Sequence, residues 1–151
     1  MLRFLTVFVI WGSCLFVAAL GGRADEPAAK GVTETKLDGA WRLVAYKPPG
    51  QDEYTKVPEG SDHTKLVAGG RFVWTGVKKG KVVRSAGGKC AVRDNEYTEQ
   101  IEFVLDEQDE WMVGKTGSYK WKLDGNKWHH DGVVKGDKGE AKITEVWERV
   151  K

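Results

Sequence analysis

His129 and His130 stand side by side in the run NKWHHDG, and the chain has one further histidine, His63. With Glu99, Glu145 and Cys90 they are the side chains whose types could support acid–base, nucleophilic or metal chemistry. Adjacent residues of a strand point to opposite faces, so His129 and His130 cannot chelate one ion from a regular strand. His63 and Cys90 lack the ligand spacing of a zinc site, and no metal is expected. A His130 pair with Glu99 or Glu145 has the composition of an acid–base couple. It has equally the composition of a structural contact. No G-x-S-x-G, no phosphate-cradling glycine loop and no nucleophile beside a base occurs. Neither a catalytic group nor a cofactor is expected.

What positions these groups is a chain of alternating apolar and polar residues. From Leu37 onward the period is two, with turn residues between segments. Strands are expected near 40–47, 64–76, 80–86, 88–93, 96–104, 111–123 with a break, 126–134 and 141–149. The separators are PPGQDE, KKG, GG, RDN, DEQDE, DG and KGDKGE. Such short connections make successive strands antiparallel and leave no room for crossover helices. The expected fold class is all-β, an up-and-down meander of about eight strands closed into a barrel, with a two-sheet sandwich as the alternative.

Residues 1–24, with Arg3 before an apolar run and small residues after it, have the pattern of a secretory signal peptide. A retained anchor and a lipoprotein cysteine at Cys14 are the alternatives. Residues 25–36, DEPAAKGVTETK, form an expected flexible leader, and 37–151 the domain. Cleavage after residue 24 removes Arg3 and Arg23 and no acid, which leaves Lys and Arg in balance with Asp and Glu. A near-neutral chain with dispersed lysines argues against nucleic acid as a partner. Only Cys90 would remain, so no internal disulfide forms. The expected location is periplasmic or extracellular, with no membrane anchor after cleavage.

The start, LDGAWRLVAY, sets Gly39 two residues before Trp41, and the end, ITEVWERVK, carries Arg149. A closed meander makes its first and last strands neighbours, so Trp41 and Arg149 can meet at one end. A guanidinium over an indole face is worth roughly 0.5–2 kcal/mol. Gly39 admits the chain there without a side chain in the way. Gly39, Trp41 and Arg149 are thus an expected structural clasp.

Gly39-x-Trp41 with a late Arg149 resembles the signature of lipocalins and their calycin relatives. The succession KLVAGGRFVWTGV, AGGK, YTEQIEF, LDGNKWHHDG and EVWERVK resembles bacterial secreted lipocalin-like proteins over Leu37 to Lys151. Lys89 and Cys90 depart from that pattern. The resemblance implies a binding cavity and no established reaction.

Parity assigns the faces. An Asp124-Gly125 loop would pair Leu123 with Asn126, Trp121 with Trp128 and Tyr119 with His130. Tyr119, Trp121, Leu123, Trp128 and His130 then point inward and the lysines outward. Tyr97, Glu99, Ile101 and Phe103 share the inner face of their strand, as do Phe72 with Trp74, and Ile143, Glu145, Trp147 and Arg149. The candidate cavity residues are therefore Phe72, Trp74, Tyr97, Glu99, Tyr119, Trp121, Trp128, His130 and Glu145. Buried Glu99 and Glu145 need partners, for which Arg149, His130 or a tyrosine would serve.

The long loop 47–63, with Tyr54 and Val57, is either a lid over the barrel mouth or a solvated connection. The leading expectation is a secreted binder of a small hydrophobic or amphipathic ligand, without catalysis. A filled structural barrel acting through its outer surface is the first alternative. An enzyme using His130 and Glu99 is the second.

Overall fold

A computed structural model describes residues 34–137 and 139–151. The expected signal peptide, Cys14 and residues 25–33 of the leader lie outside the described residues. The strands are β1 (Gly39–Tyr46), β2 (Thr55–Lys56), β3 (Ser61–Ala68), β4 (Arg71–Lys78), β5 (Lys81–Arg93), β6 (Glu96–Val104), β7 (Thr116–Asp124), β8 (Lys127–Gly136) and β9 (Gly139–Arg149). A six-residue 3-10 helix, Glu107–Met112, links β6 to β7. Its start is fixed by Asp106, whose side chain accepts from the Gln108 amide.

From β3 onward each strand pairs antiparallel with the next, β1 pairs with β3, and β9 returns to β1. This is an eight-strand closed antiparallel barrel, to which the two-residue β2 adds against the end of β1. Closure leaves the eight main strands without an open edge. Among the described residues no helix is long and apolar enough to cross a membrane.

Three strand boundaries differ from the sequence expectation. The run 64–76 is two strands, because Gly69 and Gly70, with φ of 59° and 74°, form a two-residue hairpin loop. The segments 80–86 and 88–93 are one strand, since Gly87 and Gly88 continue the ladder. β7 begins at Thr116, and Trp111 belongs to the 3-10 helix.

The β7–β8 turn also differs. Asp124 pairs with Lys127 and Trp121 with His130, so the loop is Gly125-Asn126, with Gly125 at φ 59°. Glycine at the first loop position suits a type II′ turn. The slip moves each partner by two residues. An even slip preserves facing, so the inward assignment of Tyr119, Trp128 and His130 survives.

Phe103, expected inside, is 48 % exposed. Gly88 pairs with Ile101 and Gly87 with Phe103, which makes Glu102 the extra residue of a β-bulge. One inserted residue reverses facing beyond it. Phe103 turns outward, and Val104 packs against the core.

The filled part of the interior is aromatic. Trp41, Tyr97 and Trp128 are fully buried, with Leu37, Val67 and Phe72 beside them. Trp128 meets Trp41 and Tyr97 edge-on at centroid distances of 5.4 and 5.0 Å, geometries favoured by the aromatic quadrupole.

Candidate functional site

The Trp41–Arg149 clasp closes one end of the barrel. The two residues are cross-strand partners, and the guanidinium carbon lies 4.1 Å from the indole centroid. Its nitrogens donate to the backbone carbonyls of Asp38 at 2.7 Å and Lys36 at 2.8 Å. Trp41 donates its indole N–H to the Leu37 carbonyl at 2.8 Å. Gly39 sits at φ 135°, and a Cβ there would come within 2.5 Å of Arg149 Nη1. The residues just before β1 are thus sealed onto the barrel floor.

The rest of the interior holds a cavity of about 530 Å³. Of the expected cavity residues, Trp74, Glu99, Tyr119, His130 and Glu145 line it. Phe72, Tyr97, Trp121 and Trp128 do not. Phe72, Tyr97 and Trp128 are spent on the packed core, and Trp121 is half-buried against it. Parity reports which face a residue occupies and says nothing of its height along the barrel, which is what separates packing from lining.

Three polar pairs line this space. Lys65 Nζ reaches Glu99 Oε1 at 2.8 Å, with both side chains almost wholly buried. His130 Nε2 lies 2.7 Å from Glu145 Oε2, which also accepts from Trp147 Nε1 at 2.9 Å. A carboxylate only accepts, so His130 carries hydrogen on Nε2. Arg84 forks onto Asp109 of the 3-10 helix, with Nε at 3.0 Å.

Lys65 is not among the residues that the sequence singles out for the interior. It is cross-strand to Trp74 and shares the inner face with Val67 and Phe72. Its ammonium lies 4.9 Å from the Trp147 centroid and 5.3 Å from that of Trp128. Glu99 therefore has Lys65, and Glu145 has His130. The parity of 65 with 67 within KLVA, with an acid needing a partner, was the available signal.

Burial alone would raise the Glu145 carboxyl, but the hydrogen bond and charge of His130, the charge of Lys65 and the Trp147 N–H outweigh it. The result is a carboxyl held down to about 2. Burial lowers His63, which lines the cavity near Glu145. Burial, then the charge of Glu99, pushes the phenols of Tyr97 and Tyr119 up. The Tyr97 hydroxyl lies near Glu99 and Cys90 yet outside hydrogen-bonding geometry to either. Burial likewise raises the Cys90 thiol to about 11, which suppresses its thiolate.

At the mouth, Pro49, Val57 and Pro58 of the first long loop line the cavity, as do Trp111 and Met112 of the 3-10 helix. Val57 occupies the position expected of a lid residue. Tyr54 does not: it is half-exposed, with Lys47 Nζ 5.0 Å from its ring centroid. Among the described residues no group of three or more His, Cys, Asp or Glu is arranged to hold a metal ion. His130 is buried, and its neighbour His129 lies on the opposite face.

The family described as "Domain of unknown function (DUF4488)" matches residues 36–151, and the chain belongs to it. No curated protein matches the chain. The solved structures include a similar one, an uncharacterized protein from Bacteroides eggerthii DSM 20697. It is 15 % identical, with a TM-score of 0.42 over 72 % of this chain and 98 % of that one.

Proposed function

We propose that this DUF4488 barrel is an exported, lipocalin-like binding protein that holds a small hydrophobic or amphipathic molecule and does not transform it. The observation that carries this reading is the cavity of about 530 Å³. Small-molecule sites occupy roughly 300–1,000 Å³ and combine apolar walls with a few oriented polar groups. Here Leu43, Trp74, Ile101 and Trp147 supply such walls, and Glu145 and His63 such groups. Export rests on the pattern of residues 1–24.

Native mass spectrometry of the protein purified without denaturation tests the reading, followed by identification of any molecule released. A stoichiometric small molecule supports it. A bare protein mass, with no change in tryptophan fluorescence on titration with lipids and aromatic compounds, overturns it.

A second reading, a protein-interaction module, draws on the outer surface. Leu66 pairs with Val73, Val73 with Gly87 and Gly87 with Phe103. This makes an apolar row across four strands, with Leu66 and Phe103 about half-exposed. Cross-linking of wild type against Phe103→Glu separates it from the first reading, since the cavity lies on the other face.

A further inference from the structure

Three carboxylates line the cavity, and they are not equivalent. Glu99 faces the ammonium of Lys65, and Asp109 faces the guanidinium of Arg84. Glu145 alone is hydrogen-bonded by ring N–H groups, from His130 and Trp147. Both act on the same oxygen, Oε2. Oε1 has no hydrogen-bond or ion-pair partner among the described residues, and the side chain keeps 23 % of its exposure while lining the cavity. His130, itself 2 % exposed and lining the same cavity, leaves Nδ1 buried without a hydrogen-bond partner. In the neutral ring with its hydrogen on Nε2, this Nδ1 is an acceptor, costly to leave buried unless an N–H of a bound molecule satisfies it.

We infer that Glu145 anchors the basic end of the ligand, which is a protonated amine carried on an aromatic or other apolar body. This rests on the binding reading above. A carboxylate oxygen accepts from an ammonium and repels a carboxylate, so the site selects against fatty-acid-like anions. The aromatic walls favour the same charge, because Tyr46, Trp74, Tyr119 and Trp147 line the cavity with rings whose faces attract cations.

The charged and titratable groups around Glu145 are compatible with a cation there. Lys65 is engaged by Glu99, His130 spends its Nε2–H on Glu145 Oε2 at 2.7 Å, and Arg84 is half-exposed at Asp109. His63 is held towards its neutral form by burial. Glu145 remains ionised far below neutral pH.

The test is titration of the wild-type protein and of Glu145→Gln with naphthylethylamine, naphthylethanol and naphthylacetate, followed by tryptophan fluorescence. The three share a ring system and differ in the charge at one end. The expected order is amine, alcohol, acetate, with at least about a tenfold gap between the first and last. In Glu145→Gln the amine falls to the level of the alcohol. The wild-type order alone decides the matter if the variant does not fold. Alcohol bound, with acetate equal to or tighter than the amine, overturns this inference and leaves the binding reading standing. No binding of any of the three overturns this inference, and together with a bare native mass and no response to lipids it overturns the binding reading as well.

Discussion

Lys65 and Glu99 meet through a 2.8 Å contact between Nζ and Oε1, from strands β3 and β6, with almost no exposure to solvent. Two charges removed from water must compensate each other, and losing either partner strands the other. Lys65→Met and Glu99→Gln are each expected to cost about 3–5 kcal/mol, and the double variant less than the sum. Urea unfolding of the four proteins of this cycle measures it. Additive losses would show that the two charges are independent.

The clasp gives a second expectation. Gly39→Ala places a methyl against Arg149 Nη1 at a φ that L-residues avoid, so it strains the backbone and displaces the guanidinium together. Its loss of stability should exceed that of Arg149→Lys, which keeps the charge but not the fork onto Asp38 and Lys36. Thermal unfolding midpoints rank the two. Ligand affinity should be unchanged in Arg149→Lys, since the cavity lies away from the clasp.

Glu145 predicts a pH dependence. Its carboxyl is depressed from the ordinary 4.5 to about 2 in the folded protein. The unfolded chain therefore takes up the proton first as pH falls. The contribution is complete above 4.5 and disappears as pH approaches 2, amounting to about 3 kcal/mol over the window. Between those limits the wild type should lose that much more stability than Glu145→Gln. Parallel curves from denaturant titrations at stepped pH would contradict it.

Gly87 and Gly88 separate two kinds of crowding at the β5–β6 bulge. A Cβ on Gly88 overlaps the Gln100 carbonyl oxygen, a backbone atom held in the ladder. One on Gly87 meets chiefly the ring of half-exposed Phe103 at 2.5 Å, although the Phe72 carbonyl oxygen is also close at 3.0 Å. A surface ring can swing aside and a ladder carbonyl cannot. Gly88→Ala should be the more damaging change, and Phe103→Ala should partly rescue Gly87→Ala. Circular dichroism melts of the variants check both.

Much of this protein was legible in its residues. The alternation from Leu37 onward and the short separators led to a closed antiparallel meander. Gly39, Trp41 and Arg149 fall where a barrel joins its ends. Trp74, Glu99, Tyr119, His130 and Glu145 reach the cavity because period two is a strong signal of facing. Two failures bear on the interior. Phe103 was misplaced by a single inserted residue, Glu102, which local pattern does not reveal. Lys65 was not singled out because its partner, Glu99, comes from another strand.

The sequence by itself determined the all-β class, the antiparallel meander and, where no bulge intervenes, which side chains share a face, because alternation and turn chemistry are local. Only the tertiary structure decided how high along the barrel each inward residue sits, which acid meets which base, and that packing stops short of filling the interior. Those depend on stagger between strands distant in sequence. No run of neighbouring residues encodes that stagger.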